Sequence, residues 1–473
     1  MFIMNLTLKQ YIDWVQSWKL NPSEVIKYYF DKAQKLNSDY FSFIRFHEQY
    51  VSDNINQFST RTLHAAPIWI KDIILTKDYI SSCWSHMLEN YVPPYSATCF
   101  LNLEKNWWLM IWKTNMDEFA MWWSTENSYF GNTLNNHWTN RVPWWSSWWS
   151  AVAVASDSCI AALGTDTWWS VRQPASFCGI VWLKPTYGRV SRYGVQSMAS
   201  SLDQVWTFTK TVEDARILLS SIAGFDSQDS QSDPRADVFD FLEYSDPKNL
   251  KIWLPLEVLG EWLDPQVKAK FLETIEKLKS AWFQVDEISI PTLAYSVPMY
   301  YTLMPAEVST NLSRFDGIKF GLQDDTSNFD SMMDYYSRVR SEWFWEEAKR
   351  RILLWTFVLS SANYEWYYLK AQKARDQLKS DFNKIYSSYD IIIMPTVPEV
   401  AWKIWERSDD PLKMYLADMY TIPANMWWLP AISVPIWTIN DRGEDMPVWI
   451  QLMWNVRQEK KILDLWEWIE KNN

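Results

Sequence analysis

Apolar positions recur at helical spacing at the start of the chain. LTLKQYIDWVQSW repeats its apolar residues every three or four positions, and NPSEVIKYYFDKAQKLN opens on Pro22, Ser23 and Glu24, residue types that start helices. Two helices are expected over residues 6–36, and residues 6–60 read as an N-terminal helical segment packed on a larger body. From Ala66 to about Thr211 the period shortens. The apolar runs PIWIKDIIL, WWLMIWKT, SCIAALGTD and IVWLKPT alternate with polar turns and helical stretches, which predicts an α/β sheet.

Residues 225–248, GFDSQDSQSDPRADVFDFLEYSDP, are rich in Ser, Asp and Pro and are expected to form an exposed connection. Beyond it, LKIWLPL reads as a strand, DPQVKAKFLETIEKLKSAWF as an amphipathic helix started by Asp264 and Pro265, and FQVDEISI as the next strand. That is a β-α-β unit. Residues 306–381 read as mostly helical, YDIIIMPTVPEV holds a buried strand and LPAISVPIW another. No repeat or heptad array interrupts the pattern. Residues 249–473 therefore read as the C-terminal part of the same body, and one elaborated α/β domain over residues 1–473 is expected.

The chain has 473 residues, 48% of them hydrophobic, enough for a substantial core. Its net charge of −12 argues against a nucleic-acid-binding surface, since phosphate binding needs a basic face. The four cysteines, Cys83, Cys99, Cys159 and Cys178, show no C-x-x-C spacing and are too few to staple a chain of this length, so reduced thiols in a cytoplasmic protein are expected, with no metal site. The N-terminal MFIMNLTLKQ lacks a basic n-region. The longest weakly charged run, Val142 to Ser156, falls short of the roughly 20 apolar residues that span a bilayer, so no membrane association is expected.

One compositional feature changes the picture. Glycine normally makes up about 7% of residues, which predicts roughly 33 here; the chain has 10, beside 34 tryptophans. The tryptophans include six Trp-Trp doublets, starting at 107, 122, 144, 148, 168 and 427, and stand in turn-like contexts such as VWLKPTYG and PIWTIND. Turns need residues that tolerate positive φ and close backbone approach, which an indole does not supply. The pattern predicts that many of these letters are UGA codons written as Trp in a lineage that decodes UGA as Gly.

Candidate chemistry is concentrated in two serine-containing stretches. Nucleophilic hydrolysis often pairs serine with histidine. However, His47, His64, His86 and His137 all precede the serine-rich stretch, and none has a catalytic context. A serine nucleophile would then need another base, and a lysine serves when burial depresses its pKa. With glycine restored at the doublets, PWWSSWWS (143–150) becomes P-G-G-S-S-G-G-S and DTWWSVR (166–172) becomes D-T-G-G-S-V-R. These motifs, with Lys71 in PIWIKDIIL upstream, resemble the amidase signature family. Lys71 precedes Ser146 by 75 residues and Ser170 follows it by 24, intervals that match that family. Three longer stretches, at 113–133, 165–194 and 306–321, resemble within it the glutamine-hydrolysing A subunits of tRNA-dependent amidotransferases.

The resemblance implies an amidase signature fold, a mixed central β-sheet covered by α-helices. It also implies roles residue by residue. Ser170 would attack the glutamine carboxamide, Ser146, preceded by a cis peptide, would relay the proton, and Lys71 would be the general base. The backbone N–H groups of Thr167, Trp168, Trp169 and Ser170 would hold the oxyanion. Arg351 would pair with the α-carboxylate of glutamine and Asp418 with its α-ammonium, Tyr301 would line the pocket, and Asp166 and Arg172 would support the nucleophile's loop.

No phosphate-binding G-x-x-x-x-G-K-[ST] loop is read in the chain, even with every Trp read as Gly, so the family's ATP and Mg chemistry is expected in a partner, with no cofactor in this chain. The implied partners are GatB-like and GatC-like subunits of a heterotrimer, with Glu-tRNA(Gln) reached through the complex. Three other readings use the same letters: a free-standing amidase for another small amide, a non-catalytic tryptophan-rich binding protein, and an amidase fold inactivated by real tryptophans.

Overall fold

A computed structural model of the chain describes residues 5–40, 43–46, 48–58, 65–121, 141, 147–167, 176–247, 249–324, 329–403, 406 and 417–472. The N-terminal segment holds three helices, α1 (Leu8–Gln16), α2 (Pro22–Tyr40) and α3 (Glu48–Phe58), with strand β1 (Phe43–Phe46) between the last two. Thr7 and Gln10 close a reciprocal capping box at the start of α1. The sequence pattern resolved the first two helices and gave no separate bounds for α3 within its helical segment, nor for β1.

The next part follows the expected runs: β2 (Ala66–Lys71), α4 (Thr98–Lys105), β3 (Trp108–Thr114), α5 (Trp148–Ala155), β4 (Ala161–Asp166), β5 (Val181–Lys184), β6 (Gln204–Thr209) and α6 (Val212–Ile222). Every residue of β2, β3, β4, β5 and β6 is buried, as near-continuous apolar strands are when both faces of a sheet are covered. The β-α-β unit appears as β7 (Lys251–Pro255), α7 (Pro265–Ser280) and β8 (Gln284–Ile288), the two strands pairing in parallel. Asp264 caps α7 by accepting the N–H groups of Gln266 and Val267, with Pro265 in the first turn.

Helices α8 (Ser296–Leu312), α9 (Met332–Trp343), α10 (Glu346–Val358) and α11 (Lys370–Tyr386) fill the helical stretch before β9 (Ile391–Pro395). Then come α12 (Ile422–Met426), the hairpin β10 (Ala431–Asp441) and β11 (Glu444–Trp454), and α13 (Glu459–Asn472). The hairpin turns on Arg442 (φ 55°) and Gly443 (φ 87°), two left-handed residues as a tight two-residue turn requires. The sequence reading found β10 and missed both β11 and α13.

Among the described residues, all eleven strands join one mixed sheet in the order β1-β3-β2-β4-β6-β5-β10-β11-β9-β7-β8. Strands β3, β2 and β4 run parallel, as do β9, β7 and β8, and the pairs between these triplets are antiparallel. At one edge β8 carries Asp286 and Glu287, charges that discourage further strand pairing. Residues 225–248 differ from a simply exposed connection: Asp229, Asp233 and Phe241 are buried, and Arg192 and Arg457 pair with the two acids. The four cysteines are free thiols in the interior, and no helix among the described residues is long and apolar enough to cross a membrane.

One segment corrects the reading of phosphate motifs. With glycine at 107 and 112, residues 107–114 would spell G-x-x-x-x-G-K-T after all. A phosphate loop joins a strand to a helix, whereas residues 108–114 are strand β3 itself. Lys113 is spent inside: it is fully buried, donates to the Ile74 carbonyl and lies 3.7 Å from Asp72.

Buried ion pairs fasten the last helix to the first half of the sheet. Arg216 of α6, 3% exposed, meets Asp464 at 2.8 Å and Glu467 at 3.1 Å on α13 and donates to the Phe241 carbonyl. Removing one member strands the others, so Arg216→Ala is expected to lower unfolding stability by about 3–5 kcal/mol. The check is a denaturant titration, in which the midpoint falls at an unchanged slope.

Candidate functional site

Three parallel strands deliver their carboxyl ends to one place, where α/β sheets ordinarily bind ligands. β2 ends on Lys71, β3 on Thr114 and β4 on Asp166, and α5 begins beside them with Ser147 at its N-cap. Lys71 is fully buried. Its Nζ donates to Ser147 Oγ at 2.7 Å and to the Thr165 carbonyl at 3.2 Å, and Ser147 Oγ donates to the same carbonyl at 2.8 Å. Burial pulls the Lys71 ammonium down to about 7, against the opposing charges of Asp166, Asp117 and Asp203.

The close approach of Ser147 to β4 depends on a missing side chain. A Cβ on Gly164 would stand 2.7 Å from the Phe208 ring and 3.1 Å from both Cβ and Oγ of Ser147. Thr167, 4% exposed, follows β4 and donates its hydroxyl to Asp203 at 2.6 Å. Asp203 also accepts the N–H groups of Met198 and Ala199. Burial raises the Asp203 carboxyl to about 6 while these three donors pull it down.

A second group gathers on the helical side. Tyr301 of α8 donates its hydroxyl to Asp418 at 3.2 Å, and Asp418 is fully buried. Arg351 of α10 is 5% exposed and donates Nε to Glu347 at 2.8 Å, one turn earlier. The neighbouring Tyr300 ties these residues together: burial pushes its hydroxyl well above the usual range, and the charges of Arg351, Asp418 and Asp166 act on it. Asp166 acts on Lys71 as well. Its charge therefore bears on both groups.

Of the residues expected from sequence, the structure ends β2 on Lys71 and β4 on Asp166 with Thr167 next to it, joins Tyr301 to Asp418 by a hydrogen bond, and holds Arg351 on Glu347. Ser146, Trp168, Trp169, Ser170 and Arg172 lie outside the described residues. Three neighbours were missed. Ser147 stands in the same motif as Ser146 and Asp117 in the 113–133 stretch, neither of them singled out; Asp203 belongs to no local pattern, and only the fold puts its charge on Lys71.

The profile of the family described as Amidase matches residues 24–463, nearly the whole chain. The chain belongs to the amidase family. Among this amidase's relatives, the A subunit of the glutamyl-tRNA(Gln) amidotransferase of Microcystis aeruginosa is 46% identical over 85% of the chain and 83% of its own length. That of Persephonella marina is 41% identical over 97% and 95%. The crystal structure of the Thermotoga maritima A subunit superposes with a TM-score of 0.82 at 35% identity, covering 100% of this chain and 96% of that one. An amidase crystal structure at 23% identity and a TM-score of 0.81 shares the fold.

The clearance at Gly164 yields a test. Gly164→Ala forces the Phe208 ring or Ser147 to move, and an overpacked methyl of this kind costs about 1–3 kcal/mol. Thermal melting should register that loss together with a fall in amide hydrolysis, since Ser147 holds Lys71.

Proposed function

We propose that this amidase is the glutamine-hydrolysing component of a tRNA-dependent amidotransferase, releasing ammonia that a partner uses to convert Glu-tRNA(Gln) to Gln-tRNA(Gln). The observation that carries the reading is the buried Asp418, which accepts the Tyr301 hydroxyl at 3.2 Å, with the buried Arg351 and Asp166 acting by their charges on the neighbouring Tyr300. A cation and a buried acid there complement the α-carboxylate and α-ammonium of glutamine, whereas a simple amide would need neither. The names of relatives sharing 41–46% of their residues with this chain support it.

In the proposed reaction Ser170 Oγ attacks the carboxamide carbon and its proton passes through Ser146 to neutral Lys71. The oxyanion is held by backbone N–H groups at 167–170. Lys71 returns the proton to the departing nitrogen as the C–N bond breaks, giving ammonia and an acyl-enzyme, and water then releases glutamate. Ser147, which touches Lys71 in the structure, keeps the amine aimed. ATP, Mg and the tRNA belong to GatB-like and GatC-like partners in this reading, and the assembly is cytoplasmic.

The tryptophan assignments bear on the same site. Among the described residues, Trp18, Trp84, Trp107, Trp282 and Trp428 have φ between 55° and 71°, a left-handed backbone that costs an L-residue with a side chain about 1–2 kcal/mol. Four of them occupy the position just past a helix C-cap, after Ser17, Asn106, Ala281 and Trp427. At three, the hydrogen bonds complete a Schellman motif: Trp282 N–H reaches Lys279 and Phe283 N–H reaches Leu278, with matching pairs after α1 and α12. That position is where glycine ends helices. Trp18 and Trp282 are 95% exposed, so no packing accounts for their indoles. We propose glycine at these positions and at the doublets of 144–149 and 168–169.

Two measurements test these proposals. On the chain as its own cells make it, tandem mass spectrometry should read glycine at 18, 107, 282 and 428 and through the 144–149 doublets; tryptophan masses there refute the recoding. With that composition, Ser170→Ala, Ser146→Ala and Lys71→Ala should each cut glutamine turnover by about a thousandfold or more. Because Lys71 must be neutral and burial sets it near 7, kcat/KM should rise through about pH 7 and fall roughly tenfold per unit below it. Near-normal turnover in Ser170→Ala, or a flat profile from pH 5.5 to 9, excludes the mechanism.

A further inference from the structure

Glu118 is a buried carboxylate that the proposed reaction does not use. It is 5% exposed, far inside for an acid, and both of its oxygens are committed. Oε1 accepts the Ser85 hydroxyl at 2.5 Å, and Oε2 accepts the backbone N–H of Trp345 at 3.1 Å. Trp345 is the N-cap of α10, and its own side chain makes no capping bond. An acid 227 positions away in sequence thus supplies the acceptor at the start of this helix, at the end where a helix dipole favours negative charge.

What Glu118 joins gives the contact its meaning. On one side Ser85 belongs to the segment 83–85, in which Cys83 lies close enough to Lys71 to act on its charge and accepts the Phe119 N–H through its carbonyl at 3.0 Å. On the other side α10 carries Glu347 in its first turn, and Glu347 holds Arg351 at 2.8 Å. The backbone next to Glu118 is left-handed at Phe119 (φ 47°) and Ala120 (φ 63°), a conformation non-glycine residues keep only where their surroundings impose it. The Phe119 ring supplies part of that imposition by packing on Phe315 and Phe344 at 4.8 and 5.9 Å.

We infer that Glu118 is a positioning residue for substrate recognition: it sets the distance between the wall of Lys71 and the helix that presents Arg351, and so the fit of the α-carboxylate. This rests on the reading of Arg351 as the carboxylate's partner. The contact is made to a backbone N–H, so it holds whichever residue occupies position 345. The Glu118 carboxyl is raised to about 7 by burial and lowered again by Ser85, the 345 N–H and Lys349, in keeping with a group whose hydrogen bonds matter more than its charge.

The test uses the full chain with whatever subunits co-purify and two substrates, glutamine and butanamide, which lacks the α-carboxylate. Glu118→Ala should raise KM for glutamine at least about tenfold, the worth of one hydrogen bond to a charged group, with kcat changed less than about threefold. Hydrolysis of butanamide should be unchanged, and Glu118→Gln, which keeps an acceptor for the 345 N–H, should restore most of the glutamine KM. Combined with Arg351→Ala, the effects should be less than additive. If Glu118→Ala does not fold, Glu118→Asp, which withdraws the carboxylate by one methylene, carries the same expectation. Equal losses on both substrates, a fall in kcat at unchanged KM, or full additivity overturn the inference. An Arg351→Ala protein with unchanged glutamine KM overturns the glutamine pocket itself, whereas a raised KM there with none in Glu118→Ala removes Glu118 alone.

Discussion

The constraint on which the site turns is the burial of Lys71. An ammonium taken out of water costs several kcal/mol, and Nζ of this one, which donates to a hydroxyl and a carbonyl, lies in the interior under the charges of Asp166, Asp117 and Asp203. The structure answers by keeping the amine near neutrality, with acids close enough to oppose the shift but not to cancel it. A neutral amine has two N–H groups and one lone pair. Ser147 Oγ and the Thr165 carbonyl accept from it, and the lone pair of the neutral form is the proton acceptor the proposed reaction needs. The same demand sets the backbone: β2, in register with β4 through Ile70 and Leu163, brings Lys71 beside it, and β4 carries glycine at 164 so that the start of α5 can close on it.

The proposed site draws on both halves of the chain, through which the sheet runs unbroken. Lys71 and Asp166 come from the first parallel triplet, whereas Tyr301, Arg351 and Asp418 come from helices and loops inserted around the second. β5 and β10 pair between them, and buried charges pin the seam. Burial alone would raise the Glu459 carboxyl, yet Arg189 at 2.9 Å and the Thr186 N–H hold it below its ordinary range. Such a pair has only a small net worth, but breaking it is costly, which suits a joint that must have one geometry.

How much of this was legible beforehand depended on whether the signal was local. The β7-α7-β8 unit and the buried strands declared themselves by period and by Asp264-Pro265, which are properties of neighbouring residues. Lys71 was legible through its spacing to two serine motifs, not through any feature of PIWIK. β11 and α13 were passed over although EDMPVWIQLMW and EKKILDLWEWIEKN carry apolar positions at strand and helix spacing, so the signal existed and went unused. Asp203 and Glu118 are a different case. Each is an ordinary acid in sequence, and its meaning arises when folding sets it against Thr167 or against the 345 N–H.

The tryptophans show the converse, a local signal that folding sharpens. Composition says that glycine is missing and tryptophan in excess, but it treats all 34 tryptophans alike. Backbone geometry separates them. Trp182 and Trp206 sit in β5 and β6 with rings 5.1 Å apart, in extended backbone that any residue adopts, so the conformation makes no demand for glycine there. Trp18, Trp107, Trp282 and Trp428 end helices in the left-handed region, where the demand is explicit. Trp84 and Trp149 fall between these cases: Trp84 is left-handed, and its ring stacks at 6.2 Å on the fully buried Trp149, one residue into α5. Helix ends, strand interiors and the motif beside Lys71 thus make three separate claims on residue identity, and only the first follows from backbone conformation without reference to any relative.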